Sequence, residues 1–168
     1  MIRISAIEPD VELKDFLTGK IKVGEGASAT EVKVYSDWER PTNELPDDFI
    51  VIYINGDIEG VGMDTPFARG YIMVSLYCKL NDDGSVKKNR VKKLLGQFDE
   101  LFIYVPDPDN PENPDNERLQ RYKPVITDTC HFEYDADRFI TPTTPNQSSG
   151  YSVTTLNLRW TTTSNFNS

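Results

Sequence analysis

The sequence predicts an α+β fold: a mainly antiparallel sheet with one long amphipathic helix packed on it and a short N-terminal helix. Several stretches alternate apolar and polar residues with the two-residue period of a β-strand. One stretch, residues 86–102, instead repeats its apolar residues at the three- and four-residue spacing of a helix. Strands that follow one another with few helices between them favour an antiparallel sheet.

The first predicted element is a short helix within residues 9–20. Leu13, Phe16 and Leu17 lie at positions i, i+3 and i+4, the spacing of one helix face. The segment allows roughly three turns at most, so the predicted helix is a weak one.

Three strands are predicted next. Residues 32–38 alternate and place Trp38 on the same side as two valines. Residues 49–54 form a continuous apolar run, which is typical of a central strand covered on both faces. Residues 57–68 contain glycines and a proline and predict a mobile connection to the strand at 71–80.

The strand at 71–80 shows the clearest alternation in the chain. One of its faces is apolar, and a sharp polar turn ends it. The residues on the apolar face are Ile72, Val74, Leu76, Cys78 and Leu80.

The helix at 86–102 follows this strand, and its apolar stripe needs a sheet face to lie on. Its opposite face is basic. That basic face is either a solvated outer surface or a docking surface for an acidic neighbour, including another copy of this acidic protein. The basic residues are Lys87, Lys88, Arg90, Lys92 and Lys93.

Two further strands are predicted at 129–134 and 151–163, and long exposed loops are predicted at about 105–122 and 140–150. The first loop contains an acidic, proline-rich run, residues 107–117, which cannot bury enough apolar surface to order itself. A solvated loop is the expected state, and weak binding of a hard cation is the alternative.

Composition limits the classes of function. A length of 168 residues suits a single domain. The formal net charge of −9 repels phosphate backbones, so nucleic-acid binding is not expected. No stretch approaches the ~18 apolar residues that cross a membrane. Cys78 and Cys130 lie in strand-like stretches and are expected to be free, buried residues.

Three local patterns resemble binding or catalytic sites. Residues 24–29 match the dinucleotide pattern G-x-G-x-x-A, but a strand, not a helix, is predicted after them. Residues 81–85 resemble the start of a calcium loop, but the twelfth position is Lys92, which cannot be a ligand. His131 follows Cys130, and neighbours in a strand point to opposite faces. We therefore expect no catalytic, cofactor-binding or metal-binding residues and no enzymatic activity.

Contacts between subunits are the role that remains for the surface. We expect them on the basic end of the predicted helix and on the loop that precedes the 71–80 strand. The candidate subunit-contact residues are Lys87, Lys88, Arg90, Met63, Phe67 and Arg69.

The order of these elements resembles the tail terminator (tail completion) proteins of long-tailed bacteriophages, over residues 10–163. The matching pieces are a short N-terminal helix, the strand at 32–38 followed by Arg40-Pro41, FIVIYI at 49–54, GYIMVSLYCKL at 70–80, VKKNRVKKLLGQFDELF at 86–102 and YSVTTLNLRWTTT near the C-terminus.

This resemblance implies a structural virion protein that forms a homo-oligomeric ring, commonly a hexamer, at the head-proximal end of the tail. The ring would bind the tail tube protein and the head-side connector (stopper) protein, and DNA would pass through its channel without specific binding. It would be assembled in the host cytoplasm, with no cofactor and no membrane. Two alternatives stay open: another neck protein, either a head-closure or an adaptor protein, and a small ligand-binding module or enzyme.

Overall fold

The computed structural model describes residues 7–39, 44–61, 67–118, 121–135 and 140–162. It confirms the α+β prediction: two helices and a mostly antiparallel sheet form one apolar core. The elements are α1 (Pro9–Leu17), β1 (Lys22–Val23), β2 (Thr30–Glu31), β3 (Lys33–Ser36), β4 (Asp48–Val61), β5 (Phe67–Lys79), α2 (Lys88–Phe102), β6 (Val125–Ile126), β7 (Cys130–Tyr134), β8 (Ile140–Asn146) and β9 (Tyr151–Thr162).

The main sheet has the strand order β3-β4-β5-β9-β7-β6, and β8 pairs with β9 beside β7. The β3–β4 pair is parallel, whereas the other pairs are antiparallel. β1 and β2 form a separate two-stranded sheet. Among the described strands, β3 and β6 therefore form the two ends of the main sheet.

Alternation along the strands places the core on one face of the sheet. In β5, Ile72 lies opposite Leu158 of β9, and Val74 lies between Ile52 of β4 and Leu156 of β9. All five side chains are buried, as the alternation at 71–80 predicts. Burying them removes apolar surface from water and is the main favourable contribution to folding.

Both helices pack on this face. α2 buries Val91, Leu94, Phe98 and Phe102, which repeat at the spacing expected for one helix face. The ring of Phe102 lies 6.3 Å from the Phe16 ring of α1, centroid to centroid. This aromatic contact joins the two helices over the sheet.

A carboxylate fixes α1 to the turn between β6 and β7. Glu12 accepts hydrogen bonds from the hydroxyls of Thr127 and Thr129 and from the backbone N–H of Thr129, at 3.1 Å for the last. A side chain of a short helix thereby satisfies the hydrogen-bond donors of a turn that lies far away in the sequence. Within the described residues, no helix is long and apolar enough to cross a membrane.

The predicted mobile connection at 57–68 is wrong for most of its length. β4 continues to Val61 and β5 begins at Phe67, so the two strands form a long hairpin whose tip, 62–66, lies outside the described residues. The register shifts between Asn55 and Glu59, where Gly56 has a φ of 82°. The glycine permits a bulge, and the ladder resumes beyond it.

The loop predicted at 140–150 is also different in the structure. Residues 140–146 form β8, which pairs with β9 through a turn at 147–150. β8 lies at an edge of the pairing, where proline is tolerated because the missing N–H need not bond to a partner strand. Composition alone suggested a loop because two prolines lie within this strand.

The acidic run at 107–117 is exposed, as expected, but it is ordered by polar contacts. The side-chain amide of Asn116 donates to the carbonyls of Asp107 and Asn110, at 3.0 and 2.9 Å. Asn113 accepts from the backbone N–H of Asp115 and caps a 3-10 turn. Hydrogen bonds from asparagine side chains to the backbone replace the apolar burial that the segment lacks.

Candidate functional site

The sheet face that points away from the two described helices carries aromatic and polar side chains. At one end, Phe49 stacks on Tyr77 with ring centroids 4.6 Å apart and meets the edge of Tyr151 at 5.2 Å. Phe49 is buried by these rings, and the Tyr151 hydroxyl donates to the carbonyl of Pro46 at 3.0 Å. This end is closed by its own side chains.

The other end of the same face forms a concave pocket of about 500 Å³. The register brings its residues together from four strands: Asn55 of β4 lies opposite Tyr71 of β5, Tyr71 lies opposite Arg159 of β9, and Arg159 lies opposite Glu133 of β7. A second row joins Arg69 to His131 through β9. We call this the β5–β9 pocket; it is lined by Asn55, Gly56, Arg69, Gly70, Tyr71, His131, Glu133, Arg159, Trp160 and Thr161.

The β5–β9 pocket contains an ion pair and a buried imidazole nitrogen. Arg159 Nη2 donates to Glu133 Oε1 at 2.8 Å, so one guanidinium is neutralised inside the pocket. Arg69 also lines the pocket. His131 Nε2 is buried without a hydrogen-bond partner among the described residues.

The thiols are unsuited to nucleophilic chemistry. Both cysteines are buried and unpaired in the core. Burial raises the pKa of Cys130 to about 11 and that of Cys78 to about 12, so both stay protonated at neutral pH. His131 lines the β5–β9 pocket while its neighbour Cys130 belongs to the core, as strand alternation predicts. Nowhere in the described ranges do three His, Cys, Asp or Glu side chains approach closely enough to hold a metal ion.

The predicted subunit-contact residues at the start of the helix differ in whether they already have a partner within the chain. Lys87 and Lys88 lie beside Arg90 around a shallow hollow at the start of α2, and Lys88 is exposed. Arg90 instead reaches back to the sheet, with Nε 3.4 Å from Asp48 Oδ2. The two lysines are therefore better placed than Arg90 to meet another subunit.

Of the subunit-contact residues predicted within 63–69, the structure describes the side chain of Arg69 alone. Met63 lies outside the described residues. Phe67 is the first residue of β5, and its side chain is likewise outside the described part. Arg69 is not in a loop but in β5, where it is exposed and lines the β5–β9 pocket.

Two exposed apolar residues were missed by sequence reasoning. Trp38 was placed on the apolar side of a strand, but β3 ends at Ser36 and a 3-10 turn, Asp37–Glu39, turns the indole outward, 92% exposed. Ile126 of β6 is 65% exposed. The only sequence signal at Trp38 is its position between two acidic residues, which is unusual for a core position.

Asp48 is a buried carboxylate that costs stability. Burial raises its pKa, while the charges of Arg90 and Lys87 and a hydrogen bond from Cys78 lower it and Asp47 raises it further. Its Oδ1 has no hydrogen-bond partner among the described residues. Because the folded-state pKa lies above the unfolded one, the folded chain holds the proton more tightly, and stability falls as pH rises through that window.

We therefore expect Asp48→Asn to stabilise the fold at neutral pH by about 1 kcal/mol, the cost of a poorly satisfied buried polar group. The gain should shrink at about pH 3, where the Asp48 carboxyl is largely protonated in both the folded and the unfolded state. Urea unfolding at the two pH values measures it. Asp47→Asn, at an exposed neighbour paired with Lys79, is the matched control. Destabilisation at neutral pH would mean that the attraction to Arg90 outweighs desolvation.

A scan against descriptions of known protein families found no match, and neither did searches of curated proteins and of solved structures.

Proposed function

We propose that this chain is a non-enzymatic structural subunit that assembles into a ring at the head-proximal end of a phage tail, where the ring caps the tail tube and joins it to the head-side connector. The order of sequence elements that resembles tail terminator proteins supports this proposal. The structural observation that carries it is the presence of large exposed apolar side chains at both ends of the sheet, Trp38 and Ile126.

A closed ring repeats one heterologous interface, which needs two different surfaces on each subunit. Trp38 directly follows the β3 end of the sheet, and Ile126 lies in β6 at the other end. Large apolar side chains that are exposed to water in a monomer become buried in an interface, where aromatic residues are enriched. The two ends therefore supply the pair of surfaces that a ring requires.

The charge of the chain fits the passage of DNA. A formal net charge of −9 on each subunit gives a ring a strongly negative field. Like charge disfavours phosphate contacts, so DNA would slide through such a channel without being held.

The test is the size of the purified protein at rising concentration, by mass photometry and negative-stain imaging, alone and with tail tube protein. The proposal expects discrete rings, commonly of six subunits. A chain that stays monomeric and binds neither tube nor neck proteins would contradict it. Binding on the connector side alone would favour a head-closure or adaptor protein instead.

The β5–β9 pocket is the observation that favours the second candidate, a small ligand-binding module, because its volume of about 500 Å³ suits a small molecule. A thermal-shift screen with nucleotides, carboxylates and metal ions tests this candidate. Stabilisation by several degrees with one of these compounds would support it.

Charge reversal at the start of α2 should weaken assembly. Lys87→Glu with Lys88→Glu is expected to reduce association roughly tenfold at low salt, since exposed ion pairs contribute about 0.2–1 kcal/mol each and reversal adds repulsion. The effect should fade as salt rises. Lys92→Glu with Lys93→Glu changes the net charge equally on the same helix and is the control. Ring formation unchanged from wild type would exclude this end of α2 from the interface.

A further inference from the structure

We propose that the β5–β9 pocket binds a neutral saccharide of one or two sugar units. This goes beyond the proposed ring and specifies a ligand for the small ligand-binding module that is the second candidate function. Three observations support it: an ion pair that offers a donor beside an acceptor, a half-exposed tyrosine in the same row of residues, and a buried imidazole nitrogen without a partner among the described residues.

The pocket is built on a continuous row of residues across four neighbouring strands. Asn55 of β4, Tyr71 of β5, Arg159 of β9 and Glu133 of β7 lie opposite one another in turn. Neighbouring strands are about 4.8 Å apart, so the row is roughly 14 Å long. The pocket volume of about 500 Å³ lies within the ~300–1,000 Å³ that is usual for small-molecule sites. These dimensions suit one or two sugar rings.

The ion pair in this row offers a hydrogen-bond donor beside an acceptor. Arg159 Nη2 lies 2.8 Å from Glu133 Oε1, and both side chains are partly exposed. Adjacent hydroxyl oxygens of a sugar ring have a similar separation, so one hydroxyl can accept from the guanidinium while the next donates to the carboxylate. The carboxylate repels an anionic ligand, whereas a hydroxyl carries no charge. The pair therefore favours a neutral ligand with neighbouring hydroxyls over a phosphate or a carboxylate.

Tyr71 supplies an aromatic surface next to the ion pair. It is 50% exposed and lies between two polar members of the row. One face of a pyranose carries several C–H groups that pack on an aromatic ring, while the hydroxyls at its rim reach polar neighbours. Tyr77 and Tyr151, at the other end of this sheet face, pack on Phe49 instead. The ring of Tyr71 is thus available to a ligand, whereas those two rings already contact an aromatic neighbour.

A buried nitrogen beside the row lacks a hydrogen-bond partner. His131 lines the pocket, and its Nε2 is buried without a partner among the described residues. Native structures rarely leave such an atom unsatisfied. A hydroxyl both donates and accepts, so it would satisfy Nε2 in either neutral tautomer of the imidazole. Thr161, which lies opposite His131 and is exposed, adds a hydroxyl of its own to the same side of the pocket.

Titration of the full chain with the methyl glycosides of glucose, galactose and mannose, followed by nitrogen–proton correlation NMR, tests the site. We expect amide shifts at Asn55, Tyr71 and Arg159 and a millimolar affinity for at least one sugar. Sorbitol has the hydroxyls of a hexose without its ring face and should bind about tenfold more weakly. Methyl glucuronide adds a carboxylate to the same ring and should also bind more weakly, because Glu133 repels it. Absence of shifts with every neutral sugar at tens of millimolar would overturn the inference.

Variants identify the side chains that bind the sugar. Tyr71→Ala should weaken binding about tenfold or more, while Tyr71→Phe keeps the ring and should retain most of the affinity. Glu133→Gln keeps the shape but loses the charge that strengthens the hydrogen bond, so binding should weaken several-fold. Val105→Ala and Glu112→Gln, at exposed positions outside the pocket, are the matched controls. Circular dichroism shows which variants are folded, and Asn55→Ala replaces Tyr71→Ala if the latter is not.

The outcomes separate this inference from the ring proposal and from other ligand classes. Rings that form but bind no sugar would leave the ring proposal intact and overturn the saccharide site. A monomer that binds a sugar through Tyr71 would support the saccharide site and contradict the ring. Tighter binding of an uncharged nucleoside or a capped dipeptide than of any sugar would overturn the saccharide assignment, as would wild-type affinity in both the Tyr71→Ala and the Glu133→Gln variants.

Discussion

Phe102→Ala is expected to lower the free energy of unfolding by about 3–5 kcal/mol, the usual cost of truncating a buried phenylalanine. Phe102 is fully buried at the end of α2. Its ring contacts Phe16 of α1 at 6.3 Å and Tyr134 of β7 at 5.3 Å, so it joins both helices to the sheet. Urea denaturation followed by circular dichroism measures the loss.

Two variants make that result specific. Phe102→Leu keeps most of the volume and should cost less than alanine does. Glu100→Ala changes an exposed residue of the same turn and should alter stability by at most about 0.5 kcal/mol. If the alanine variant at 102 were as mild as the variant at 100, the packing of the two helices over β7 would be incorrect.

Gly70→Ala is expected to destabilise the fold by about 1–3 kcal/mol through overpacking. Gly70 lies opposite Trp160 in the β5–β9 ladder, and a Cβ at this position would lie 2.9 Å from Trp160 Nε1. The indole is fully buried, so neither it nor the central strand can move away at low cost. The change in melting temperature or urea midpoint measures the effect.

A double-mutant cycle tests whether the indole is the cause. Trp160→Phe removes the atoms closest to the added Cβ, so Gly70→Ala should cost less in that background than in wild type. Gly96→Ala is the matched control for the same chemical change, because a Cβ there meets no atom within 4 Å and alanine favours a helix. Equal costs in the two backgrounds would mean that the strain arises elsewhere.

Elements with one buried face could be predicted from the sequence, because their apolar residues repeat with the period of the strand or helix. The strands at 71–80 and 151–163 and the helix at 86–102 each have such a face. β8 could not be predicted, because its pairing depends on backbone hydrogen bonds to β9 and its residues resemble a loop. The hairpin arms at 57–68 were missed for the same reason.

Only part of the candidate site could be predicted from the sequence. Arg69 was singled out from the sequence, but its partners in the β5–β9 pocket come from β7 and β9, and only the register brings them together. Trp38 was placed on the same side of a strand as two valines because a period of two continues through it; the chain instead turns after Ser36. A periodicity gives the face of a residue only as long as the strand lasts.

The place of β9 in the sheet has a consequence for synthesis. β9 separates β5 from β7, yet it follows every other described strand in the chain. Until the ribosome has released residues 151–162, the β4–β5 hairpin and the β6–β7 pair have no strand between them, and their inner edges are open to pairing with other nascent chains. Closure of the sheet therefore waits until β9 has been synthesised, so slower synthesis at low temperature, or chaperone cover of those edges, should raise the yield of native protein.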